Sequence, residues 1–247
     1  MKLYWLLMGL LGMIAPGSAH AATDTVVLLH GLGRTRWSMA RLAAGLERDG
    51  YRVVNLSYPS RTLALESLAT TWLPEQLRAN GVDAASHLHF VTHSMGGIIV
   101  RVWLRDGGAP VNLGRVVMLA PPNAGSEVAD HLNGFAPFRW FTGANGRRLG
   151  TGATDLPRSL GPWPAPSADL GIIAGSFSWN PLFSAWLPGP DDGKVTVAAT
   201  HLGGERDHLV LRHSHTWLAW HADTLAQTRG FLRTGRFLPP EHLPAVK

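Results

Sequence analysis

Cysteine is absent from the 247 residues. That excludes a disulfide framework, a thiolate metal site and a cysteine nucleophile. Charge is sparse as well: 16% of residues are Asp, Glu, Lys or Arg, and the formal net charge is +5. A nucleic-acid binder would cluster its cations in a run or stripe, whereas here the basic residues are spread along helices and loops. We expect no nucleic-acid partner. The small basic surplus fits a solvated surface that is also mildly favourable to anionic membrane or lipid surfaces. No acidic calcium loop and no helical zinc motif of paired histidines appears, so neither metal nor any other cofactor is expected. No internal repeat is visible, and oligomeric state has no signature.

Long apolar runs are also missing. The longest, Leu3 to Ile14, is short for crossing a bilayer. It follows Lys2 and leads to Ala19-His20-Ala21. A positive start, a short apolar core and a small-x-small site make a secretory signal peptide. The expectation is residues 1–21 as signal peptide, cleaved after Ala21, with the mature protein periplasmic or secreted. Retention as an uncleaved anchor is the alternative. The remaining residues, 22–247, are expected to form one domain, since 45% of the chain is hydrophobic and its length suits a single core.

What is present is a rhythm of strands and helices. Thr25 to Leu29 is a continuous β-branched and apolar run, as for a strand buried on both faces. An amphipathic helix follows from Arg34 to Asp49, with Trp37, Met39, Leu42 and Leu46 near one stripe. Tyr51 to Leu56 is the second strand. Leu63 to Ala79 is helical, with Pro74 expected to kink it or to begin a new helix. His87 to Val91, Val116 to Ala120, Leu170 to Ala174 and His208 to Arg212 supply further strands, and Trp217 to Phe231 closes the chain as a helix. Such alternation predicts an α/β fold: a mostly parallel sheet with helices on both faces. In these sheets, sites lie beyond the carboxyl ends of the strands.

Residues 123–168 interrupt the rhythm. They are rich in Gly and Pro and carry Phe135, Phe138, Trp140, Phe141 and Trp163. Two readings stand side by side. The segment is a cap or lid whose aromatics face a substrate, or it is an irregular excursion whose aromatics pack on the body.

The most informative stretch is His89-Phe90-Val91-Thr92-His93-Ser94-Met95-Gly96-Gly97-Ile98. It reads as strand, sharp turn and helix with a serine at the apex. A serine hydroxyl is a weak nucleophile and must stand clear of the sheet where a base can reach it. The turn achieves this, and it presents the Met95 N–H at the helix start to a developing oxyanion. Thr92 stands where the G-x-S-x-G pattern has its first glycine. A structural reading, serine as a simple helix cap, competes with the catalytic one.

Ser94 needs a base and the base an orienting acid, in the chain order Ser, Asp, His. Asp192 is the preferred acid because it sits in a turn before Gly193, with Asp191 its rival one residue away. His215 is the preferred base, from the loop between the last strand and the last helix. His213 could share that edge. His201 is a further candidate base, whereas His208, at the start of a strand, and His221, within a helix, read as surface or structural residues. Leu32 N–H, after His30-Gly31, is the second oxyanion donor beside Met95. His30, Gly31 and His93 are expected next to the substrate.

Together Leu28-Leu29-His30-Gly31-Leu32, Val91-Thr92-His93-Ser94-Met95-Gly96-Gly97, Asp192-Gly193-Lys194-Val195 and Ser214-His215-Thr216 resemble a bacterial secreted α/β-hydrolase of the lipase/esterase type. Pro121-Pro122-Asn123-Ala124-Gly125-Ser126 resembles a P-P-N-x-G-S stretch of the same group. The resemblance covers Thr25 to Phe237. It implies the α/β-hydrolase fold, with both readings of 123–168, cap/lid or excursion, still open, and a carboxylesterase or lipase acting on a small-molecule or lipid ester. Ser94 would be nucleophile, Asp192 acid, His215 base, and Leu32 and Met95 oxyanion donors. The same residues would serve an acyltransferase, thioesterase or amidase. A catalytically silent fold binding a lipid or protein partner is the remaining alternative.

Overall fold

The computed structural model describes residues 24–82, 87–108 and 110–239. The expected signal peptide and its cleavage position lie outside the described residues. Six strands form the sheet: β1 (Thr25–Leu29), β2 (Arg52–Leu56), β3 (Leu88–His93), β4 (Leu113–Leu119), β5 (Leu170–Gly175) and β6 (Asp207–Leu211). Their spatial order is β2-β1-β3-β4-β5-β6. Every pairing is parallel, so all six carboxyl ends reach the same edge.

The two-residue period of the strands sorts the core into two layers. Val27, Leu29, Phe90, Val116, Met118 and Ile172 point to one face, and Val26, Leu28, Val91, Val117, Leu119 and Ile173 to the other. Helix α1 (Ala40–Arg48) and the final helix cover the second face through Leu42, Leu46, Leu225 and Phe231. The first face is covered by a continuous helical stretch. It runs through α2 (Leu65–Ser67), a widened π turn (Leu68–Trp72) and α3 (Leu73–Ala79). Pro74 is the second residue of α3, so the bend expected there appears as the wide turn ahead of it. α4 (Met95–Trp103) lies on the same face and is buried along its whole length.

Residues 123–168 are less irregular than their composition suggests. They hold α5 (Glu127–Leu132), α6 (Ala136–Gly146) and α7 (Leu156–Ser159). Ser126 caps α5 by accepting the Ala129 N–H, and prolines open α6 and α7, where a missing N–H does no harm. This cover is tied to the body by Asn145, which is fully buried. Its amide donates to Ser60 O at 2.9 Å and Leu63 O at 2.8 Å and accepts the Leu65 N–H at 3.0 Å. The aromatics of the segment are placed differently from one another. Phe138 and Phe141 line the cavity described below. Trp163 packs on the body and donates its indole N–H to Ala168 O. Phe135 and Trp140 are exposed.

After β5 come α8 (Pro181–Ser184) and α9 (Val197–Thr200), and after β6 comes α10 (Ala222–Thr234). The expected closing helix is thus shorter at its start, because a 3-10 turn (Leu218–Trp220) precedes α10. Among the described residues no helix is long and apolar enough to cross a membrane.

Candidate active site

Ser94 stands between β3 and α4 with φ of 53° and ψ of −123°. Among the described residues only Ser94 and Ala120 have positive φ without being glycine. Both follow central strands at the same sheet edge. A side chain in this region is strained and persists only where the surroundings impose it. Here the Ser94 N–H is held by Leu119 O at 2.8 Å, and the Ala120 N–H by Ile173 O at 2.8 Å. Two glycines make the approach possible. A Cβ on Gly96 would meet Leu29 O at 2.7 Å, and one on Gly31 would meet His93 Nδ1 at 2.9 Å and the Ser94 Cβ at 3.2 Å. The elbow is therefore wedged against the loop after β1. Thr92, in place of the usual glycine, is fully buried in β3 and fits because its neighbour across the turn is Gly97.

His215 follows β6 and its Nδ1 donates to Asp192 Oδ2 at 2.7 Å. Both side chains are buried, at 5% and 0% exposure. The other carboxylate oxygen of Asp192 accepts the N–H groups of Lys194 at 3.0 Å and Val195 at 2.8 Å. The His215 N–H in turn donates to Asp192 O at 2.9 Å. With Nδ1 committed, Nε2 is the nitrogen free to accept a proton. Asp191 points elsewhere: its carboxylate accepts Ser184 Oγ–H and the Gly193 N–H and shapes the turn.

Ser94 and His215 line one cavity of about 330 Å³ with Gly31, Leu32 and His93. The cover supplies apolar walls through Val128, Leu132, Phe138, Phe141 and Leu149. Met95 is the first residue of α4, so its N–H has no intrahelical acceptor. Of the three residues expected beside the substrate, Gly31 and His93 face the cavity, and His30 does not line it. His30 is fully buried and stacks on Tyr58, with ring centroids 4.0 Å apart. Its Nδ1 donates to Gly31 O and its Nε2 accepts the Tyr58 N–H. It braces the loop that carries Leu32. Burial lowers its pKa, which the bond to Gly31 only partly offsets.

The other histidines are engaged away from Ser94. His201 pairs with Glu205 and stacks on His208. His213 donates to Asp223 and stacks on His221.

Two cavity residues, Arg34 and Lys194, were missed at the sequence level, and His93 was expected there without its partner. His93 donates from Nε2 to the carbonyl of His215 at 2.9 Å. Burial, with the nearby His215, Lys194 and Arg34, holds its pKa well below the ordinary range, so it is a neutral donor. Its place beside Ser94 was legible, but its partner lies across the fold. Arg34 and Lys194 also line the cavity. Each follows a motif glycine, Gly33 or Gly193, and that adjacency was the available signal.

A family model described as the alpha/beta hydrolase family matches residues 26–245. Solved structures of similar fold include the mature form of a Bacillus licheniformis lipase, BlEst2. Identity to it is 18% and the TM-score 0.62, covering 86% of this chain and 91% of that one. Its propeptide form aligns at 20% identity and a TM-score of 0.60, over 79% of this chain and 47% of that one, so the chain spans about half the length of that form. A metagenomic carboxyl esterase aligns at 19% identity and a TM-score of 0.62, over 87% of this chain and 72% of that one. None of the curated proteins matches the chain in sequence.

Proposed function

Because the chain belongs to the alpha/beta hydrolase family and has its fold, we propose that it is a serine hydrolase of carboxylic esters. Ser94 is the nucleophile, His215 the base and Asp192 the orienting acid. The observation that carries this reading is the strained serine in one cavity wall with a histidine whose Nδ1 is fixed by a buried carboxylate at 2.7 Å. That arrangement leaves Nε2 as the proton acceptor.

In the proposed mechanism, His215 Nε2 takes the proton of Ser94 Oγ as Oγ bonds to the ester carbonyl carbon. The carbonyl oxygen becomes an oxyanion held by the N–H groups of Leu32 and Met95. Collapse breaks the bond to the alcohol oxygen, which receives the proton from His215. Water, deprotonated by the same nitrogen, then attacks the acyl-enzyme. The acid leaves and Ser94 regains its proton. His93 acts as a positioning residue by holding the carbonyl of His215. The apolar walls of the cavity suit the acyl chain.

The lipase and carboxyl esterase neighbours support an ester substrate. The exported location belongs to the same proposal, with the mature chain beginning at Ala22; N-terminal sequencing of the processed protein tests it. The test of the chemistry is hydrolysis of p-nitrophenyl esters of graded acyl length by wild type and Ser94→Ala. We expect kcat to fall by about a thousandfold or more with the fold intact. Equal rates for the two proteins reject the assignment. A fluorophosphonate probe labels the wild type at Ser94, whereas a silent binding fold takes no label.

A further inference from the structure

The cavity beside Ser94 is not uniformly apolar. Two cations, Arg34 and Lys194, sit in its wall together with Ser94 and His215. They reach it from different parts of the fold. Arg34 follows the loop of β1, and its guanidinium donates to Thr216 Oγ1 at 3.1 Å, beside His215. Lys194 follows Asp192 by two residues. Among the described residues neither side chain forms an ion pair. Asp192, the carboxylate whose charge acts on Lys194, spends its oxygens on His215 and two backbone N–H groups.

Two like charges facing one cavity without counter-ions are unfavourable unless an anion comes between them. The strain is visible at Lys194, where burial and the neighbouring Arg34 depress the ammonium pKa against the opposing pull of Asp192. No structural role in the described contacts requires both charges. The backbone of Lys194 already serves the fold: its N–H binds Asp192, and its carbonyl accepts Ser126 Oγ–H at 2.6 Å. The ammonium is left for something outside the protein.

We propose that Arg34 and Lys194 form an anion-binding subsite on the leaving-group side of Ser94, selecting esters whose alcohol carries a phosphate or carboxylate. This rests on the serine-esterase reading for its orientation. The acyl chain takes the apolar arm under Phe138, Phe141 and Leu149. The alcohol must lie towards His215, which protonates it on departure. On that side Lys194 and His215 also border a second cleft, where Ser178, Asn180, Ser214 and Thr216 stand among the rings of Trp179, Phe183 and Trp217. An amphiphile with an apolar acyl chain and an anionic head fills both arms at once.

The test compares 4-butyryloxybenzoate with its neutral methyl ester, following butyrate release from each and normalising each rate to that compound's alkaline hydrolysis so that charge on the leaving phenol is what remains. The wild type should favour the anion by about tenfold or more in kcat/KM. The ratio should collapse towards one in Arg34→Gln/Lys194→Gln and survive in the charge-keeping Arg34→Lys/Lys194→Arg. A wild-type ratio near one, or an unchanged ratio in the Gln double variant, overturns the proposal.

A second measurement needs no turnover: calorimetric binding of hexyl phosphate, hexanol and inorganic phosphate to Ser94→Ala. Hexyl phosphate should bind more tightly than either fragment and lose binding with the Gln pair. Inorganic phosphate binding as tightly as hexyl phosphate overturns the amphiphile assignment, since it would mark a free-phosphate site. If neither ester is cleaved while hexyl phosphate still binds through the two cations, the esterase reading fails and the subsite stands. If both esters are cleaved equally and hexyl phosphate binds no better than hexanol, the subsite fails and the esterase reading stands.

Discussion

Two histidine–aspartate pairs lie almost side by side on the loop after β6. His215 meets Asp192 at 2.7 Å, and His213 meets Asp223 at the same distance. Judged by that contact alone they are equivalent. What surrounds them differs. Asp192 is closed off from solvent, anchored by two backbone N–H groups, and its histidine faces the cavity of Ser94. Asp223 opens α10 and is partly exposed, and its histidine stacks on His221 with ring centroids 3.5 Å apart, outside that cavity. A paired imidazole becomes a candidate base through what its free nitrogen faces. The second pair joins the loop to the last helix, where an acid near the N-terminus is favourable.

The sharpest way to break this comparison is to neutralise each acid in turn. Asp192→Asn should lower kcat/KM on a p-nitrophenyl ester by about 10³- to 10⁴-fold, because the amide favours the wrong tautomer of His215. Asp223→Asn should stay within about twofold of wild type. Comparable losses in the two variants would show that the pairs share one function.

The next largest effect concerns the clamp that only the first pair has. His93→Phe keeps an aromatic ring but removes the donor to the His215 carbonyl. We expect kcat to fall by about 10- to 100-fold with KM little changed. His93→Gln, which retains an N–H donor, should recover part of the loss. Equal defects in the two variants would point to packing alone.

Acid stability separates the histidines further. Burial lowers the pKa of His208 to about 4. Its folded value is below the unfolded value near 6.5, so the unfolded chain binds the proton first. Stability is full above pH 6.5 and declines as pH falls towards 4. His208→Gln should remove about 1–2 kcal/mol of that decline in urea titrations across this range, allowing for partial exposure. A pH dependence identical to wild type would contradict the assignment.

The smallest expected effect is on the stability held by the second pair. Burial opposes ionisation of Asp223, but the hydrogen bond and charge of His213 outweigh it, leaving the pKa below its ordinary value. Its contribution is therefore present above the ordinary carboxylate range and lost as pH falls through the lowered value. Asp223→Asn should reduce stability by at most about 1 kcal/mol at pH 7 and by nothing in strong acid.

Much of this arrangement could be read from the residues in order. The apolar runs at Val26–Leu29 and Phe90–Val91 could only be doubly buried strands, and the turn at Ser94 followed from the small residues after it. Asp192 was preferred to Asp191 for its place before Gly193, but adjacent side chains in a turn point to opposite sides, and local pattern carries little record of which faces inward. The helices of the cover were hidden for a related reason. α5 and α7 are short, and α6 is broken at Gly143, where φ is 64°, so no stripe runs far enough to show a period. The bond from His93 to His215 joins residues far apart in the chain, and nothing local announces it.

The sheet order has a kinetic consequence. Ser94 follows the central strand β3, whereas Asp192 and His215 follow β5 and β6, towards the far edge. Parallel pairing between distant segments is slow, because loop closure precedes the reward of contact. With Ser94, Asp192 and His215 acting as proposed, the site would be complete only once the last strand has docked. Turnover of an ester would then be a clock for the final step of assembly, reporting the moment the sheet is complete.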